Sequence, residues 1–142
     1  MSKLGFSLIE ILVSITILAV MSTVGIASYR QTARNQALES DVAKIIQTLN
    51  IAKTNVNSGK KVSCLAKNLK AWQVTFSATG YILQEVCNDN SVSDYAKYNL
   101  VSKNTISGAP VIRFLPLAQG VTPGVVNIGP KVINISASGN IQ

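Results

Sequence analysis

The sequence predicts an α+β fold, a long amino-terminal helix packed on an antiparallel β-sheet. Three observations predict it. Residues 6–27 are strongly hydrophobic and carry a single charge, Glu10. Beyond them Leu38, Val42, Ile45, Leu49, Ala52 and Val56 recur at alternating spacings of four and three, the seam of an amphipathic helix. After Gly59 the period drops to two, in short β-branched and aromatic runs separated by Pro and Gly.

The helix is expected from Ser7 to Asn57, closed by Ser58 and Gly59, glycine being the usual residue just past a helix end. At about 1.5 Å per residue, Phe6–Ala27 reaches roughly 33 Å, near the hydrocarbon thickness of a bilayer, so this half is expected to cross a membrane once. A cleaved secretory signal fits less well. The apolar run exceeds the usual h-region, and Lys3 alone supplies a charged n-region. In the second half Arg30, Arg34, Glu39, Asp41, Lys44 and Lys53 are expected on the faces away from the seam, with Asp41 and Lys44 as surface neighbours.

Strands are expected at Lys61–Leu65, at Trp72–Phe76 and Tyr81–Cys87 as a hairpin through Ala78-Thr79-Gly80, and then at Tyr98–Ser102 after a polar loop from Asn88 to Asp94. Val111–Leu115, Val125–Ile128 and Lys131–Ala137 complete the set, the last with Ile133, Ile135 and Ala137 on one face. The apolar stripe of the helix needs a partner, and a sheet with one apolar face supplies it.

Composition narrows the chemistry. The 142 residues include no histidine, which removes His-based acid–base catalysis, His-activated nucleophiles and His-ligated metal sites. No nucleotide-binding glycine loop and no evident pair of catalytic carboxylates is present, so neither enzyme activity nor a cofactor is expected. Cys64 and Cys87 are too few for a Cys-only zinc site. In an exported domain they read as one disulfide, closing a loop of about 24 residues and contributing roughly 3 kcal/mol. In a reducing compartment they read as two core thiols.

The net charge is +7, from 13 Lys and Arg against six Asp and Glu. Lys60, Lys61, Lys67 and Lys70 are candidate contacts to DNA or another anionic surface, or simply solvated lysines. Trp72 and Tyr81 offer rings for stacking, but core packing is the stronger reading. Glu85, Asp89 and Asp94 lack the spacing of a calcium loop and read as a solvated loop. Asn134-Ile135-Ser136 fits a glycosylation tripeptide, though a buried strand is a poor acceptor.

Glu10 is the outlying residue. An ionised carboxylate in hydrocarbon costs several kcal/mol unless it is paired. Its own helix cannot supply the partner, because the next cation after it is Arg30, about 30 Å along the axis. Either a partner comes from another chain or a new terminus, or Glu10 stays hydrated at the headgroup level.

The stretch Gly5-Phe6-Ser7-Leu8-Ile9-Glu10, with a short leader before it and an apolar helix after it, closely resembles the type IV prepilin signature. That resemblance implies a leader of residues 1–5, a transmembrane helix half at 6–28 and an outer α+β domain at 29–142. It implies that a prepilin peptidase cuts after Gly5 and methylates the new amine of Phe6. It also implies that Glu10 meets the terminal ammonium of a neighbouring pilin or pseudopilin subunit, each charge offsetting the other's desolvation. The protein would lie in the inner membrane with its carboxy-terminal domain outside, and then in a pilus or pseudopilus.

The strand order, and the final Ile-Ser-Ala-Ser-Gly-Asn, are similar to GspH/FimT-type minor pilins and pseudopilins. An arginine-bearing tail linked to DNA binding in some of those relatives has no counterpart in Asn140-Ile141-Gln142. The proline that kinks many pilin helices is replaced by Gly25-Ile26-Ala27. Charge supports the orientation poorly, since Arg30 and Arg34 stand outside and Lys3 inside. The peptidase's cytoplasmic site and an oxidised Cys64–Cys87 pair favour it.

Overall fold

The computed structural model describes residues 7–116 and 120–142, without the side chains of residues 23–25 and 27. The chain divides into two compact units at Gln36/Ala37. One helix, α1 (Leu8–Asn57), contributes to both, one residue shorter at its start than the pattern suggests. Ser7 begins it, its carbonyl accepting the N–H groups of Glu10 at 3.0 Å and Ile11 at 3.3 Å. Gly59, at φ +63°, ends it. The Gly59 N–H returns to the Val56 carbonyl at 3.2 Å and the Lys60 N–H to that of Asn55 at 2.9 Å, the two bonds of a Schellman cap.

The unit from Ala37 onward holds the strands β1 (Leu69–Ser77), β2 (Gly80–Cys87), β3 (Val92–Asn99), β4 (Ile106–Gly108), β5 (Val111–Phe114), β6 (Gly124–Ile128) and β7 (Lys131–Ile135). They form two antiparallel sheets, ordered β3-β2-β1-β5 and β4-β6-β7. The final residues run back along β7, with Asn134 and Gln142 exchanging backbone hydrogen bonds at 2.7 and 3.0 Å.

The core forms where the second half of α1 meets the inner faces of both sheets. Leu38, Ile45, Leu49, Ala52 and Val56 are buried with Trp72, Val74, Leu83, Ile112, Phe114, Val126, Ile128, Ile133 and Ile135. The alternation along each strand sorts these side chains inward. Trp72 and Tyr81 are both buried, and the Trp72 Nε1–H is satisfied by the Lys60 carbonyl at 3.1 Å.

The opposite face of the larger sheet carries a polar chain through directly facing residues. Arg113 on β5 donates to Gln73 on β1 at 2.8 Å, Gln73 to Gln84 on β2 at 2.8 Å, and Gln84 to Asp94 on β3 at 2.7 Å. Thr75 donates to the same Gln84 oxygen at 2.7 Å.

Four expectations need correction. Lys61–Leu65 is a loop, because the Val62 and Ser63 N–H groups bond a side chain instead of a neighbouring strand. The strand expected at Tyr98–Ser102 is β3, which starts at Val92 and so takes residues from the expected Asn88–Asp94 loop. The sheet is two sheets, with the short β4 unforeseen. Ala137 is exposed past the end of β7 and does not share the buried face of Ile133 and Ile135, whereas Asn134 is exposed within the strand.

Candidate functional site

The sequence directs attention first to the start of α1. Leu8, Ile9, Ile11, Leu12, Val13, Ile15, Ile17, Leu18, Val20 and Met21 are all half or more exposed. The polar residues among them are folded back onto their own helix. The hydroxyls of Ser14, Thr16 and Ser22 donate to the carbonyls of Glu10, Leu12 and Leu18, four residues earlier, at 2.7, 2.6 and 2.8 Å. Each bond hides a donor that an apolar medium would penalise.

The surface that remains is apolar on every side, with the exposed Glu10 in the first turn. Among the described residues no cation stands within ion-pair distance of the Glu10 carboxylate. Among the described residues no helix is long and apolar enough to cross a membrane. Gly5 and Phe6, the expected cleavage and methylation site, lie outside the described residues.

Of the candidates Lys60, Lys61, Lys67 and Lys70, three are engaged by other side chains. Lys67 pairs with Asp89. Lys70 donates to the Asn90 side chain at 2.5 Å. Lys60 sits 5.2 Å from the centre of the Tyr95 ring and 3.3 Å from its hydroxyl. Lys61 is exposed. Asp89 is held well below the usual carboxylate range by the Lys67 ammonium and then by Ser91. These contacts tie the 60–70 segment to the β2–β3 hairpin.

The same segment is fastened by two stronger devices. Cys64 and Cys87 form a disulfide, Cα to Cα 5.6 Å, and both residues are buried. Glu85, only 1% exposed, accepts the Val62 N–H at 3.1 Å and the Ser63 N–H at 2.6 Å. It is therefore no part of a cation site, and among the described residues no cluster could hold a metal.

Asp41 does similar work on the other side of the domain. It is 2% exposed and accepts the N–H groups of Val101 at 3.1 Å and Ser102 at 2.7 Å. Burial pushes its carboxyl up, but hydrogen bonding from Ser102 and Val101, with the Lys44 charge, outweighs that and lowers it. The expectation that Asp41 lies on the solvated face with Lys44 is thus overturned: Asp41 is a buried staple. A sequence signal existed. Asp41, Thr48 and Asn55 are spaced by seven, a heptad beside the apolar seam, and all three are buried.

At the far end Lys53 reaches from α1 to the Gly139 carbonyl at 2.9 Å. Gly139 has φ +80°, and a Cβ there would press on Val121 Cγ2 at 3.2 Å. The Ser-Ala-Ser-Gly-Asn turn is accordingly held by the helix.

Residues 1–26 match the family described as the prokaryotic N-terminal methylation motif. No curated protein and no solved structure matches the chain. The motif is that of precursors cut by a prepilin peptidase, and it supports a type IV pilin-like structural subunit, membrane-anchored and assembled with other pilins.

Proposed function

We propose that the chain is a filament subunit, a minor pilin or pseudopilin of a type IV pilus or type II secretion machine, which is cut after Gly5 and methylated on Phe6. The observation that carries this reading is the methylation motif at 1–26 joined to an all-round apolar helix start whose hydroxyls are internally bonded. In the membrane Glu10 meets the Phe6 ammonium of a neighbour. Two opposite charges then share one desolvation penalty, and their meeting fixes the axial offset between subunits. Assignment to the minor, GspH/FimT-like class rests on the Ser136–Asn140 turn after the final strand, since the Cys64 segment is a loop and not the strand that resemblance expects.

The test is intact mass after co-expression with a prepilin peptidase, followed by filament incorporation. The expected product lacks Met1–Gly5 and carries one added methyl group, and Glu10→Gln is processed but not incorporated. A product that keeps Met1 and still polymerises overturns the proposal.

The competing reading is a DNA-capturing subunit, supported by the +7 charge. It is the weaker one, because Lys60, Lys67 and Lys70 are engaged by Tyr95, Asp89 and Asn90. A salt-sensitive mobility shift that fails on Lys61→Ala would restore it.

A further inference from the structure

The outer faces of the two sheets use their amides in opposite ways. On the larger sheet Gln73 and Gln84 saturate each other between Arg113 and Asp94. On the smaller sheet β6, β7 and residues 140–142 present Val125, Asn134 and Gln142 across one row and Pro123, Ser136 and Asn140 across the next. These six residues line an open groove of about 500 Å³, within the size range of small-molecule sites. The Ser136 hydroxyl is occupied by Ser138 and by the Asn140 N–H at 2.8 and 3.0 Å. The side-chain amides of Asn134, Asn140 and Gln142 bond to nothing among the described residues.

We propose that this groove binds a neutral, hydroxyl-rich ligand, an oligosaccharide by chemical class. Each amide offers donors and acceptors side by side, and a sugar hydroxyl is both donor and acceptor, so amides pair with it without a charge to neutralise. No charged side chain lines the groove, although the chain has 13 cations, so no side chain there offers a counter-charge to an ionic ligand. Pro123 and Val125 add an apolar strip against which the C–H face of a sugar ring can lie. Asn134 sits on β7, and the backbones of Asn140 and Gln142 are hydrogen-bonded to Ser136 and Asn134, which limits the ordering lost on binding. The site is separate from the helix start and does not depend on the filament reading.

The experiment uses the full chain in phosphocholine micelles, free of sugar-based detergent, with maltotetraose and N-acetylchitotetraose as probes. The expected result is saturable movement of the Asn134, Asn140 and Gln142 side-chain NH2 signals with at least one probe, weakened about tenfold by Asn134→Ala. Asn140→Ala and Gln142→Ala carry the test if Asn134→Ala fails to fold. Absence of shifts at millimolar probe overturns the proposal. So does binding unchanged in all three variants, or binding of a neutral hexapeptide in place of both sugars.

Discussion

The two halves of α1 are one continuous helix built to opposite rules. Between Leu8 and Gln36 the described large apolar side chains are exposed, and the hydroxyls of Ser14, Thr16 and Ser22 bond within the helix. From Ala37 to Asn57 a narrow apolar seam is buried, and the helix's buried carboxylate bonds far along the chain, as Asp41 does with Val101 and Ser102. A segment meant for an apolar medium must be satisfied locally, since nothing outside it accepts a hydrogen bond. A segment meant for a protein core can recruit distant backbone.

The sharpest test of this difference is a matched pair of truncations. Leu49→Ala in the buried half should destabilise the unit from Ala37 onward by about 2–5 kcal/mol in thermal unfolding. Leu18→Ala should change the same transition by less than about 0.5 kcal/mol. Equal losses would erase the distinction. Next in size, Glu85→Ala and Asp41→Ala should each cost roughly 1–3 kcal/mol, because two loop N–H groups then lose their charged acceptor. A cost near zero would mean water replaces them.

The Asp41 effect also has a pH signature. Its folded carboxyl sits below the ordinary value of 3.8, so its contribution is present above that pH and is lost as the pH falls through the lower, folded value. Asp41→Asn should flatten that acid limb, and an unchanged acid limb in a denaturation series would remove Asp41 from the account. Smallest of all, Thr16→Val should alter helicity in micelles hardly at all, within about 0.5 kcal/mol, since a hydroxyl bonded to its own helix leaves no orphan when replaced by methyl.

What the sequence reveals follows the reach of each interaction. The helix limits, its seam and the β1–β2 hairpin depend on residues three, four or two apart, and these were legible to within a residue or two at most ends. The loop at 61–65 looked like a strand because its hydropathy alternates, and the competing Glu85 carboxylate lies more than 20 residues away. β3 was misplaced because it is an edge strand, exposed on much of both faces, with a bulge opposite Leu83 and Gln84 that breaks its period. For Asp41 the heptad with Thr48 and Asn55 signals burial, but its bonding partners, 60 and 61 residues distant, leave no local trace. The Cys64–Cys87 bond needed only a count of cysteines and an assumed compartment.

The row from Arg113 through Gln73 and Gln84 to Asp94 crosses all four strands of its sheet by directly facing residues. A slip of one position by any strand would turn its member of the row toward the core. Misalignment anywhere would thus break the whole line at once and strand an amide or a charge among apolar neighbours. The row acts as a proofreader against one-residue slips of any of the four strands.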